Sequence, residues 1–326
     1  MAWLALGSAW AGAGAGTPSP RLEVPVDCPM GTVCVVQTYV DQAPGPMARD
    51  YTCGPLATDG HRGTDIRVPG RRHMAAGVAV IAAAPGLVRT ALDGAPDRPS
   101  RAALDGDAAG NTVVLDHGGG WVTQYSHLRR GSVAVRPGQR VAAGARLGLI
   151  GLSGRTDFPH LHFAVRHGGA ALDPFTGRAP EQGCGLAGAA PLWSVAARRA
   201  LAYRAGGLLA TGFATARPTL ANTLDSPRRA RAPGVAAPRL IFWAAAWGLR
   251  AGDREVIRLI GPDGAVLAER TGRVPGDRAE WLRYVGRARA GAAWPAGRYR
   301  GEYRVERPAG GHAETVIDAV AETQIP

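Results

Sequence analysis

The chain of 326 residues contains no lysine; its 38 basic residues are all arginine and outweigh 26 acidic ones, for a formal charge of +12. These arginines are scattered, with only short runs such as RRARAP. There is no zinc-finger spacing and no RNA-binding signature, so nucleic acid is not the expected partner of the positive field. The four cysteines never fall in CxxC spacing, which argues against redox-dithiol or zinc-ribbon use. No apolar run approaches the roughly 20 residues that a membrane-spanning helix needs, so an integral membrane protein is not expected. Long amphipathic helical stretches are missing too, which argues against strand–helix–strand units around a parallel sheet.

Glycine (46) and proline (25) are abundant, and with so little helical pattern they favour a turn-rich β protein. The cationic field suits a polyanion such as anionic lipid or an acidic cell-wall polymer. The opening MAWLALGSAWAGAGAG is apolar and then small, and reads as an export signal over residues 1–20, although no basic leader precedes it. Cys28, Cys34, Cys53 and Cys184 are even in number and allow three pairings. The expected pairs are Cys28–Cys34, closing a short loop, and Cys53–Cys184, tying the start of the first domain to its end. The alternative is four reduced thiols in a cytoplasmic protein. With the signal, the cysteines place the chain outside the cytoplasm, in a periplasmic or extracellular setting.

Residues 21–59 are irregular in pattern. From Gly60 to about Pro174, short β-like runs are separated by DHGGG, RPGQ and RHGG, which suit hairpin connections. The expectation is an all-β fold: a small antiparallel barrel or sandwich over residues 60–190. Near Leu240 the β pattern resumes. GPDG between VIRLI and AVLAE reads as a hairpin turn, because Gly264 tolerates positive φ. In RYRGEYRV, Tyr299, Gly301, Tyr303 and Val305 share one face, as in a sandwich with one wet side. Residues 191–326 are therefore expected to form an immunoglobulin-like β-sandwich. Its tryptophans (Trp243, Trp247, Trp281 and Trp294) suit core packing better than glycan binding.

Three stretches carry candidate chemistry. In PHLHF, alternation points His160 and His162 to one side of a strand and Leu161 and Phe163 to the other. In GHRGTDIRV, His61 and Asp65 lie four apart across a turn that runs into a strand, and a histidine with a carboxylate suits zinc. In WVTQYSHL, His127 alternates with Tyr125, Thr123 and Trp121. Each stretch alone also has a plain structural reading. Together they offer three metal ligands, His61, Asp65 and one histidine of HLH, and leave two histidines for proton transfer and charge stabilisation. His117, in DHGGG, suits a hairpin role; Asp157 suits a turn; His73, His167 and His312 have no partner pattern.

The order HRGTD, GNTVVLDHGGGWVTQYSHL, GQRVAAGARLGLIGLSGRTDFPHLHFAV resembles the lysostaphin-type zinc metallopeptidases, which cut peptidoglycan, over about a third of the chain. The resemblance implies a barrel akin to the lipoyl-carrier hybrid barrel. It also implies one Zn2+ per chain held by His61, Asp65 and His162, with His127 and His160 as the non-ligand catalytic pair, and a peptidoglycan substrate. Two positions depart from the family's pattern. Phe158 stands where glycine is usual, so its ring is expected to narrow the groove. Ala164 stands where glutamate is frequent, which removes a nearby carboxylate. The competing expectations are a non-catalytic wall-binding or hydrolase-activating module, and a zinc endopeptidase acting on a protein.

Overall fold

The computed structural model describes residues 18–43, 45–99, 108–225 and 233–326. The expected export signal lies almost wholly outside the described residues, as does the RRARA run at 228–232. Among the described residues no helix is long and apolar enough to cross a membrane. The helices are short: α1 (Arg71–Ala76), α2 (Val195–Ala200) and α3 (Leu220–Thr223).

The strands of the first half are β1 (Val26–Asp27), β2 (Val35–Thr38), β3 (Thr64–Arg67), β4 (Ala79–Ile81), β5 (Gly86–Leu92), β6 (Asn111–Gly118), β7 (Trp121–Leu128), β8 (Arg140–Val141), β9 (Arg146–Leu149), β10 (His160–His167) and β11 (Ala170–Leu172). They form a main sheet ordered β2-β3-β10-β7-β6-β5-β8, with β11 on β10, and a small sheet β1-β4-β9. Among the described residues every pairing between these strands is antiparallel, as the hairpin turns implied. The β6–β7 turn needs its glycines, because Gly118, Gly119 and Gly120 all adopt positive φ. The main sheet stays open, since no strand among the described residues joins the edges β2 and β8 into a closed barrel. Residues 21–59 are more regular than their composition suggests, for β2 lies beside β3 with Thr38 opposite Asp65.

One face of β10 makes the core. Leu161, Phe163 and Val165 are fully buried, and Phe163 packs against Tyr125 of β7 and Trp193. Burying side chains of this size contributes roughly 1.5–3 kcal/mol each. The opposite face of β10 carries the two histidines.

The second half comprises β12 (Gly207–Ala214), β13 (Arg239–Leu249), β14 (Arg254–Ile260), β15 (Val266–Arg273), β16 (Arg278–Ala288), β17 (Gly297–Ala309) and β18 (His312–Ile325). Sheets β12-β13-β16 and β15-β14-β17-β18 pack on a common core as an antiparallel sandwich. Gly264 sits at positive φ in the β14–β15 turn, and Tyr299, Tyr303 and Val305 face the core. Trp243, Trp247 and Trp294 are buried.

Strand β13 explains why LIFWAAAWGL is continuously apolar instead of alternating. Leu240, Phe242, Ala244 and Ala246 enter the sandwich core, whereas Trp243, Ala245 and Trp247 join the core of the first half. A strand buried on both faces has no wet side to encode.

Both expected disulfides are formed, Cys28–Cys34 and Cys53–Cys184, with sequence separations of 6 and 131. Cross-linking constrains the unfolded chain more as the loop lengthens, so the long link should contribute about 3 kcal/mol more than the short one. Chemical denaturation should show the Cys53→Ser/Cys184→Ser double variant losing that much more stability than Cys28→Ser/Cys34→Ser.

Candidate active site

Asp65 and His162 are direct cross-strand partners on β3 and β10, so their side chains leave the sheet on the same face. His162 Nδ1 lies 2.8 Å from Asp65 Oδ1. His61 arrives from the turn before β3. Its Nδ1–H donates to the Tyr39 carbonyl at 2.8 Å, which turns Nε2 inward, 3.1 Å from Asp65 Oδ1 and 3.2 Å from His162 Nδ1. The turn is pinned from behind by the Asp41 carboxylate, which accepts from the backbone N–H groups of Ala43, Arg49 and Gly60. Gly63 is required for close approach: a Cβ there would lie 2.5 Å from His162 Nε2 and 2.8 Å from the Phe163 carbonyl.

His160 lies two residues before His162, on the same face. Its Nδ1–H is held by the Phe158 carbonyl at 2.9 Å, with Thr156 Oγ1 at 3.1 Å, and its Nε2 is 3.5 Å from Asp65 Oδ1. His127 reaches the same groove by a different device. Simple alternation would put it with Tyr125 and Thr123, which are buried on the core face, so that part of the sequence reading needs correction. In the β6–β7 ladder Asn111 pairs with Leu128 and Val113 with Tyr125, which sets Ser126 and His127 against Thr112 alone. This is a β-bulge, and His127 within it takes φ 61°. The left-handed residue turns the ring over to the groove, where it lies 4.7 Å from the His160 ring. Its Nδ1–H donates to the Ser153 carbonyl at 2.8 Å. The His127 and His160 imidazoles are thus both held in the tautomer that leaves Nε2 as an acceptor.

Electrostatics follow the packing. Burial opposes ionisation of Asp65, yet His61 and His160 more than compensate and hold its carboxyl well below the usual range. Burial would also lower His61, but the Asp65 carboxylate outweighs it and the imidazole is raised. His162 is lowered, chiefly by burial. His127, buried and facing His160 and His162, is lowered to about 3.

The donor set of His61, Asp65 and His162 fits a zinc ion. Their ligating atoms all lie within 4.8 Å of one another. The closest separations, 2.8–3.2 Å, are near the roughly 3.3 Å between donors that tetrahedral bonds of ~2.0–2.2 Å require. Two nitrogens and a carboxylate oxygen are also the chemistry that this metal takes in three-ligand sites.

The groove holding these groups has a volume of about 430 Å3 and is walled by Gln124, Arg62, Arg155, Asp157 and Phe158. The Phe158 ring does line it, 4.7 Å from the His160 ring. Ala164 is buried opposite Gln124, whose amide turns to Ser126. His117 lies away from the groove, between the Pro85 carbonyl and Thr123 Oγ1, in keeping with a hairpin role. His167 stacks on Trp121, and His73 is half-buried on α1. Sequence reading missed Thr156, Gly63 and the Tyr39, Ser153 and Phe158 carbonyls that orient the rings. Only Gly63, placed between His61 and Asp65, left a signal.

Residues 59–174 match Peptidase family M23. The chain therefore carries a domain of this lysostaphin-type family. Among characterised relatives, the peptidoglycan DD-endopeptidase ShyA of Vibrio cholerae is 46% identical over 57 residues, 18% of this chain and 13% of that protein. An uncharacterized metalloprotease of Haemophilus influenzae is 33% identical over 129 residues, 40% of this chain and 23% of that protein. These matches span less than a quarter of either relative's length. Among solved structures, a zinc-containing peptidase from Vibrio cholerae aligns at TM-score 0.33 and 25% identity, covering 48% of this chain and 39% of that one.

Gly63→Ala should weaken zinc binding about 10–100-fold in a competition titration, because His162 must shift, while the fold survives. His127 generates a pH prediction. Its folded value lies below that of an exposed imidazole, so the unfolded chain binds the proton more tightly. Its contribution to stability is complete above pH ~6.5 and is lost as the pH falls toward 3. Ring resonances of the metal-free protein should show His127 neutral at pH 5.

Proposed function

We propose that this chain is an exported zinc metalloendopeptidase that hydrolyses peptide bonds in peptidoglycan stems or cross-bridges. One observation carries the reading: two imidazoles with inward lone pairs stand beside three converging zinc-type donors in a single open groove. The family match and the similarity to proteins named as peptidoglycan DD-endopeptidases support the substrate class. The cationic surface suits an anionic wall, and two closed disulfides suit an oxidising compartment. Residues 191–326 form its accessory domain.

His61, Asp65 and His162 would hold the zinc. When bound, the ion polarises a carbonyl as a Lewis acid and acidifies a water. His160 Nε2, 3.5 Å from Asp65, accepts the proton of the attacking water and returns it to the leaving amine. His127 Nε2, kept unprotonated by burial, accepts a hydrogen bond from the water or from a substrate N–H and orients it. Phe158 covers one side of the His160 ring and limits the approach of bulk water.

Incubation with purified peptidoglycan, followed by mass analysis of the released muropeptides, tests the substrate. Release of stem or cross-bridge fragments is expected; cleavage of protein only, or of nothing, would reject the reading. His162→Ala should lose both zinc and hydrolysis. His127→Ala should keep zinc and lose about 10²–10⁴ in rate. Full turnover by His162→Ala would remove it from the ligand set.

A further inference from the structure

Two residues beyond Asp65 on β3, and directly across from His160, stands Arg67, whose guanidinium is almost completely buried. Its Nε and Nη2 donate to the carbonyls of Val68 and Pro69, and its Nη1 to Gln37 Oε1 at 2.5 Å. Those partners are neutral and leave the charge uncompensated. The carboxylate that meets it comes from the other half of the molecule: Glu280 Oε1, on β16 of the sandwich, lies 2.6 Å from Nη1. Asp225 adds a more distant negative charge, but Glu280 is the carboxylate that hydrogen-bonds the guanidinium. A buried guanidinium that loses its hydrogen-bonded carboxylate is strongly unfavourable, so Glu280 helps fix where Arg67 rests.

The position of Arg67 matters to the groove. Its guanidinium carbon lies 4.6 Å from the Phe158 ring centroid, within the range in which a cation is drawn to an aromatic face. Phe158 holds His160 twice. The ring packs on the imidazole at 4.7 Å, and the carbonyl accepts the Nδ1–H that sets its tautomer. His127 lies 4.7 Å from the same imidazole, so the contacts of Phe158 and His127 bracket it.

We infer that Glu280, Arg67 and Phe158 are positioning residues, a chain of contacts through which the C-terminal sandwich holds the His160 imidazole in its working orientation. The inference rests on the catalytic reading of His160, and it assigns the sandwich a role in the reaction. It also accounts for an aromatic residue at position 158, where the family resemblance expects glycine: the ring is the link between the buried guanidinium and the imidazole.

The test uses the full chain with Glu280→Ala, Glu280→Gln and Glu280→Asp. In the metal-free protein, the His160 ring resonances should shift in the Ala and Gln variants and return toward wild type in Asp. In the zinc-loaded protein, kcat on peptidoglycan fragments should fall at least tenfold in Ala, less in Gln and least in Asp, with KM within twofold and zinc content unchanged. An unmoved His160 resonance, or a loss of activity that follows loss of zinc, would overturn the inference. If the Glu280 variants fail to fold, Phe158→Leu leaves the ion pair intact and should shift the same resonance; no shift there would overturn it equally. Should wild type release no muropeptide, the catalytic reading fails, while the metal-free resonances still decide whether the chain of contacts orients His160.

Discussion

A single carboxylate organises this groove. Asp65 is buried, and three imidazole nitrogens from His61, His160 and His162 lie within 3.5 Å of it. A lone buried carboxylate would neutralise itself by taking a proton; here the surrounding rings keep it ionised. The arrangement follows from strand pairing. Because β3 and β10 run antiparallel with Asp65 opposite His162, the contact between them forms whenever the sheet forms. His160 follows by alternation, and His61 by the turn that the Asp41 carboxylate fastens. The cluster is thus assembled by backbone register, which would lower the cost of ordering these groups around an ion.

His127 is the exception to that economy. Regular strand geometry would aim it at the core, beside Tyr125. The chain instead holds a non-glycine residue at φ 61°, inside a bulge that interrupts the β6–β7 ladder. Such backbone costs of order 1–3 kcal/mol and persists only where neighbours over-determine it. The neighbours are visible: the His127 backbone N–H donates to Ala109, and its ring donates to Ser153. Strain at one residue puts an imidazole on the wet face of a sheet whose other face must stay apolar.

How much of this was legible beforehand divides along physical lines. Period-two patterning and glycine-rich turns announced an antiparallel all-β chain, and HxxxD followed by HLH announced residues that the fold brings together in one cluster, since both depend on residues close in sequence. The bulge at His127 was not legible, because the alternation in WVTQYSHL is unbroken and only the partner strand reveals the extra residue. Ring orientation was equally hidden. It depends on the backbone carbonyls of Tyr39, Ser153 and Phe158, and every residue type carries a carbonyl. The open edge between β2 and β8 depends on long-range pairing that turn signals do not encode.

The run LIFWAAAWGL is the clearest case of pattern that lacks meaning until both neighbours are known. A strand with no polar face reads as a core strand of one domain, yet β13 divides its side chains between two cores. Trp243 and Trp247 join the core of the half that holds the groove, while Phe242 fills the sandwich. A sheet shared in this way resists relative motion of the halves, since any rotation would expose apolar surface on one face or the other at roughly 25 cal/mol per Å2. That rigidity is what allows Glu280, on the strand hydrogen-bonded to β13, to meet a buried guanidinium at fixed distance instead of as a mobile surface charge. The sandwich therefore belongs to the same packed body as the groove, joined to it through the shared core and through the contact of Glu280 with Arg67 on β3.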